Sequence, residues 1–412
     1  MGVLRGRFGA GILDGRVPNS NLGGAFGTLP RMKSVPGSLE VVAYVPGVSP
    51  DEIGRAADAL QVPAGHHLAV LVAEGDEPDL AGIVDELKSR DFSFFGALFP
   101  GLIVGAERHE VGALLMALPV EVAPVLVTGL DGCDFSIPEL GSTVGAGSRT
   151  AMVLVDGLTA NVSRLLAELH GRLGNSVHYF GGGAGSLSLE QQPCVFTRDG
   201  VFQDAAVVAF LSCRSRLGVR HGWSFHAGPF VATRTEGNVI QQLNWERALD
   251  VYQRALQPHL DEELTPENLF HASTAFPFGI YKEGTEDVVR DPVSAGPDGE
   301  LICVGEVPEN AVLNILRGDR ASLVSAAGRA AQDCADATPI HTRAAFVVDC
   351  ISRTLFLDEE FTEELNAVQE CLRPVTNDVE MHGILTLGEI SSLGRGYVEF
   401  LNKTIVVAVL HD

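Results

Sequence analysis

Met152-Val153-Leu154-Val155, followed after a helical segment by Val177-His178-Tyr179-Phe180-Gly181-Gly182-Gly183-Ala184-Gly185, is the stretch that sets the fold class. Short continuous apolar runs are the pattern of buried strands. Between the two runs, Val162, Leu165, Leu166, Leu169 and Leu173 recur at the three- and four-residue spacing of one helical face. Strand, helix, then a strand ending at glycine makes a βαβ unit.

The same order appears twice more. Leu68-Ala69-Val70-Leu71-Val72 precedes a helical face of Leu80, Ile83, Val84 and Leu87, and 92–101 follows. Ala345-Phe346-Val347-Val348 leads through Phe361, Leu365, Val368 and Leu372 to 382–389. A further strand is expected over 39–45, and a helix capped by Ser49 with Pro50 in its first turn. Hairpins are predicted around Arg198-Asp199-Gly200 and Gly237-Asn238, so the sheets should be mixed. A helix near Trp245, a strand at 301–305 and an Ala-rich helix over 320–334 complete the reading. The expected fold is α/β with mixed sheets and α+β character, in two related halves, each a β core covered by helices. An extension over 1–34 precedes the halves 35–240 and 241–412. Gly101, Gly181 and Gly388 should lie at the same edge of their sheets, where strand ends favour ligands.

Composition narrows the function. A hydrophobic fraction of 46% in 412 residues suits a large core. The formal net charge of −24 disfavours nucleic acid and anionic membranes as partners. The apolar stretches are broken by Gly and Pro, too short for a membrane span. Met1-Gly2-Val3-Leu4-Arg5-Gly6 lacks the apolar core of a secretory signal, which points to the cytoplasm. Seven scattered cysteines without a CxxC pair read as reduced thiols, with no metal site.

Four motifs invite chemistry. Gly181–Gly185 lacks both the dinucleotide spacing and a P-loop lysine, so it reads as a tight turn with close backbone approach; a nest for a small anion is the functional alternative. His221 and His226 flank an aromatic segment that is either a structural turn or a pocket lining. Cys350 ends a strand before Arg353, as a packing residue or as a nucleophile with a lowered pKa. Glu389, beside Gly388, can meet a ligand amine or hydroxyl, or cap a turn.

These segments together resemble the FIST family of sensory domains. The matching stretches are Tyr179–Gly185, His221-Gly222-Trp223, 231–239, 247–252, Val289-Arg290-Asp291-Pro292, Asp349-Cys350 with 352–357, 385–390 and Asn402-Lys403-Thr404. The resemblance implies an N-type domain for 35–240 and a C-type domain for 241–412. It also implies a cytoplasmic sensor that binds a small molecule, amino acids among the ligands, and regulates a separate partner such as a histidine kinase. Ser186 and Leu401 stand where the family often carries an acidic residue and a histidine, so specificity is expected to differ.

The residues expected to line the ligand site are Gly181, Gly182, Gly183, Gly185, Arg234, Asn238, Arg290, Cys350 and Glu389, with arginine suited to a carboxylate. One alternative is a haem-binding nitric-oxide sensor, with His178, His221, His226 and His382 as candidate axial ligands. Others are an enzyme with Cys350 as nucleophile, and a ligand-free scaffold whose acidic surface meets a basic partner. The leading expectation is a sensor with no catalytic residue.

Overall fold

All three strand–helix–strand segments form parallel pairs in the computed structural model, which describes residues 42–120, 122–132, 134–140, 150–335, 341–376, 379–392 and 398–412. The extension 1–34 and Cys133 lie outside the described residues. The first unit runs β1 (Val42–Val45), α1 (Pro50–Leu60), β2 (His66–Ala73), α2 (Leu80–Ser89), β3 (Phe94–Phe99), the hairpin β4 (Gly101–Val104) and β5 (Glu107–His109), then β6 (Ala113–Pro119). Ser49 caps α1, accepting from the Glu52 N–H. The second unit runs β7 (Val125–Thr128), β8 (Thr150–Asp156), α3 (Val162–Leu173), β9 (His178–Ala184), the hairpin β10 (Val195–Thr197) and β11 (Gly200–Phe202), then β12 (Ala205–Leu211).

The third unit opens on β13 (Arg214–Arg220) and is then interrupted. The insertion comprises β14 (Ser224–Glu236), β15 (Val239–Leu243), β16 (Glu246–Arg247), α4 (Ala248–Leu256), α5 (Leu269–Ala275), β17 (Phe278–Ile280), β18 (Val288–Ala295), β19 (Leu301–Val304) and β20 (Val312–Arg317). The unit resumes with α6 (Arg320–Ala335), β21 (Thr342–Cys350), α7 (Ile351–Leu357), α8 (Phe361–Thr376), β22 (Met381–Thr386), the hairpin β23 (Glu389–Ser392) and β24 (Val398–Leu401), and β25 (Ile405–His411).

Three six-stranded sheets share one order. They are β1-β6-β2-β3-β10-β11, β7-β12-β8-β9-β23-β24 and β13-β25-β21-β22-β4-β5. Only the central pair of each is parallel, because a crossover helix joins just those two strands. Each unit lends its hairpin to another unit's sheet in a closed cycle, so no sheet is completed by its own unit. The α/β class, the mixed sheets and the helical cover expected from the sequence are present. The N-terminal half holds two repeats and the first strand of the third, and the C-terminal half holds the rest of the third with most of the insertion.

The repeat has a steric signature. Gly96, Gly181 and Gly383 lie opposite Val70, Val153 and Val347 in the parallel pairs. A Cβ at each would stand 2.0, 1.9 and 2.3 Å from that valine's carbonyl oxygen. This corrects the reading of Gly181–Gly183 as a tight turn: they form the body of β9, although the close backbone approach is real. It also changes the equivalence, since Gly101 and Gly388 follow their strands while Gly181 lies within one.

In the insertion, β14-β20-β17-β18-β19-β15 closes into a barrel where β15 pairs back onto β14. Ile240, Phe278, Leu301 and Leu313 fill it, fully buried, and Tyr252 of α4 packs on Phe278 at 5.1 Å between ring centroids. Among the described residues, no helix is long and apolar enough to cross a membrane.

Candidate functional site

One position separates the third unit from the other two. Val72, Val155 and Asp349 occupy the same register, one residue before the end of the first parallel strand. All three are fully buried, yet only the third is a carboxylate. The fold therefore accepts valine there, and Asp349 needs another reason.

Its surroundings are charged. The chain turns from β21 directly into α7, which places Arg353 one helical turn later, with Nε 3.8 Å from Asp349 Oδ1. Glu364 of α8 takes the Arg353 fork in two bonds, at 3.0 Å from Nε and 2.6 Å from Nη2. Arg353 also donates to the carbonyls of Leu323, at 2.7 Å, and of His221. Lys403, between β24 and β25, pairs with Asp291 of the barrel at 3.0 Å and lies 5.2 Å from the Trp223 ring centroid. The Trp223 indole donates to the Lys403 carbonyl at 3.0 Å. Glu389 accepts from Thr386 Oγ1 at 3.0 Å and from the Thr404 N–H at 3.1 Å.

Four buried carboxyl groups, Asp291, Asp349, Glu364 and Glu389, here meet two buried cations, Arg353 and Lys403. Burial pushes Asp349 well above the usual carboxylate range, and the neighbouring Glu364 charge adds to it. Burial likewise lifts Asp291, and raises Glu389 to about 8. Glu389 therefore keeps its proton at neutral pH. Both Asp349 oxygens, Asp291 Oδ1 and Asn402 Oδ1 are buried without a hydrogen-bond partner. Buried polar atoms are nearly always paired, and unpaired ones gather where a site has work to do.

Of the residues expected from sequence, Gly181, Gly182, Cys350 and Glu389 come together. Gly182 pairs with Glu389, Gly183 N–H donates to the Gly388 carbonyl at 2.7 Å, and Cys350 Sγ lies 3.4 Å from Ser352 Oγ. Gly185 donates to Leu98 O at 2.9 Å, back toward the first sheet. Arg290 is buried and spends its fork on the carbonyls of Glu306, Val289 and Phe400. Arg234 and Asn238 are exposed on the barrel hairpin, away from these groups. Burial pushes the Cys350 thiol up to about 12, with the Glu389 charge adding to it. A thiol so placed is not a thiolate at neutral pH, which is the opposite of the lowered pKa a nucleophile needs.

The candidate haem ligands are scattered. His178 is exposed, with Nδ1 3.0 Å from Ser215 O. His221 accepts the Trp223 N–H on Nδ1 and turns Nε2 to Glu286 at 3.6 Å. His226 meets His259 edge-on at 4.4 Å between centroids, and His382 Nε2 faces Glu380 at 3.5 Å. Each of the four is engaged by a neighbouring residue, which does not fit a free axial ligand for haem. Sequence reasoning named Arg353 only as a neighbour of Cys350 and Asp291 and Lys403 only within the family-like stretches, and it missed Glu364. The signal within reach was Asp349, a carboxylate in a run where the other two units have valine.

An open groove of about 400 Å³ lies over this region, lined by Gly222, Trp223, Glu286, Ser322, Ser325 and Arg329, among others. Trp223 lines it and also faces Lys403. A model of the FIST N domain matches residues 67–246 and one of the FIST C domain matches 248–392. The chain belongs to the FIST family, whose domains are sensory domains in signal transduction. No curated protein matches it.

Proposed function

We propose that the protein is a cytoplasmic sensor in which a small polar ligand enters the groove over Trp223 and the cluster beneath responds. The observation that supports this best is Asp349, a fully buried carboxylate beside Arg353 at a position where the other repeats carry valine. Glu286 and Arg329 set opposite charges on the groove, which suits a zwitterion such as an amino acid. Trp223 passes a change at the groove to Lys403, and through Asp291 to the barrel. The response then reaches a separate signalling protein such as a histidine kinase.

Trp223 and Trp245 are the two tryptophans of the chain, so Trp245→Phe leaves a single reporter at the groove. Compounds that raise the melting temperature in a metabolite screen should shift Trp223 emission in that variant, and Glu286→Ala should abolish the shift. Hits that stabilise the protein without moving Trp223 emission would sink this reading, as would a screen with no hits.

A further inference from the structure

Six large hydrophobic side chains stand exposed among the described residues, and five of them (Phe225, Trp245, Phe270, Tyr281 and Val312) belong to the barrel insertion. Three share one stretch of its outer wall. Val312 faces Val231 across β14 and β20. Tyr281 donates its N–H to the Val312 carbonyl at 2.9 Å, and Asn244 donates to the Val231 carbonyl at 2.9 Å. Trp245 comes next, its own N–H on Thr233 Oγ1 at 2.9 Å. Trp245 is 78% exposed and Tyr281 54%. The backbone at Trp245 has φ 63°, unusual for a bulky residue, and it holds the indole toward solvent. Two exposed aromatics beside an exposed valine are the composition of a protein-binding hot spot.

The charge around it chooses the partner. Residues 224–317 contain fifteen Asp and Glu against six Lys and Arg. Lys282 and Arg254 are already paired with Glu399 and Glu246. Glu283, two residues from Tyr281, and Glu309, three before Val312, are exposed. A second copy of a chain with net charge −24 would bring like charge to this wall.

We propose that this wall docks a partner protein through a basic segment, whose apolar anchors cover Trp245 and Tyr281 while its Lys and Arg side chains meet Glu283 and Glu309. The proposal goes beyond the ligand reading and does not rest on it, because neither Trp245 nor Tyr281 lines the groove.

The test is a random-peptide phage library panned on the full chain. Enriched peptides should carry net positive charge and one or two large apolar residues. A synthetic peptide of that consensus should bind W245A at least about 10-fold more weakly, as loss of an aromatic hot spot implies. E283K/E309K should weaken it as well, and added salt should weaken wild-type binding. Both variants should keep the wild-type melting temperature and the Trp223 ligand response, so failure here is distinct from failure of the ligand reading. Neutral or acidic consensus peptides, no enrichment, or equal binding by W245A would overturn the proposal. A dimer in sedimentation that W245A abolishes would assign the wall to a second copy and overturn it too.

Discussion

The second and third repeats have the same strands in the same order, yet their strand ends are chemically unlike. In the second, Asp156 pairs with Ala184, at the register where the third has Cys350 with Thr386. Asp156 is buried, and its oxygens are taken by the N–H groups of Leu158 and Asp204, at 3.1 and 2.9 Å, and by Gln191 at 3.0 Å. It staples a loop. In the third, carboxyl groups accumulate around Arg353 and Lys403, and several oxygens find no partner. The fold is satisfied by the first arrangement, so the second is an addition to it.

The largest effect should come from breaking the third repeat at its cation. Arg353→Met leaves Glu364 buried without its counter-charge, and should cost about 3–5 kcal/mol in urea denaturation. Arg353→Met with Glu364→Leu should recover much of that, because a well-packed apolar pair replaces a buried ion pair at little net cost. A loss under about 1 kcal/mol for the single variant would erase the contrast between the repeats.

Glu389 sharpens the contrast through pH. Its folded carboxyl keeps a proton up to about 8, whereas the unfolded chain releases it from 4.5. The unfolded state then binds fewer protons, so this group's contribution is complete below about pH 4.5 and is lost as the pH rises toward 8. The slope is at most about 1.4 kcal/mol per pH unit. Denaturation at pH 5, 6, 7 and 8 should show that decline, and Glu389→Gln should flatten it.

In the second repeat, Asp156→Asn exchanges one acceptor oxygen for a donor among groups that donate, and should cost about 1–2 kcal/mol by the same measurement. The smallest effect belongs to the barrel surface, where Arg254 and Glu246 form an exposed pair at 2.9 Å. Arg254→Ala should change stability by no more than about 0.5 kcal/mol. If Asp156→Asn costs as much as Arg353→Met, the loop staple and the charged cluster are energetically alike and the distinction fails.

The sequence by itself determined what is local. Apolar runs marked the three parallel pairs, Ser49 and Pro50 marked the start of α1, and Gly237-Asn238 marked the turn between β14 and β15. These signals work because periodicity, caps and turns are written within a dozen residues. Asp349 also stood in view, as the carboxylate that replaces valine in the third apolar run.

Tertiary structure alone decided the rest. Each hairpin has the same apolar pattern, and nothing in that pattern says it will pair with another repeat's sheet. Closure of the barrel depends on β15 meeting both β14 and β19. The cluster joins Asp291 of the barrel, Asp349 and Arg353 around one strand end, Glu364 of α8, Glu389 at the start of β23, and Lys403 from the turn before β25. The Trp223 bond to Lys403 spans 180 residues. Local pattern says whether a side chain is buried; which charge it meets there depends on complementary packing between segments far apart in the chain.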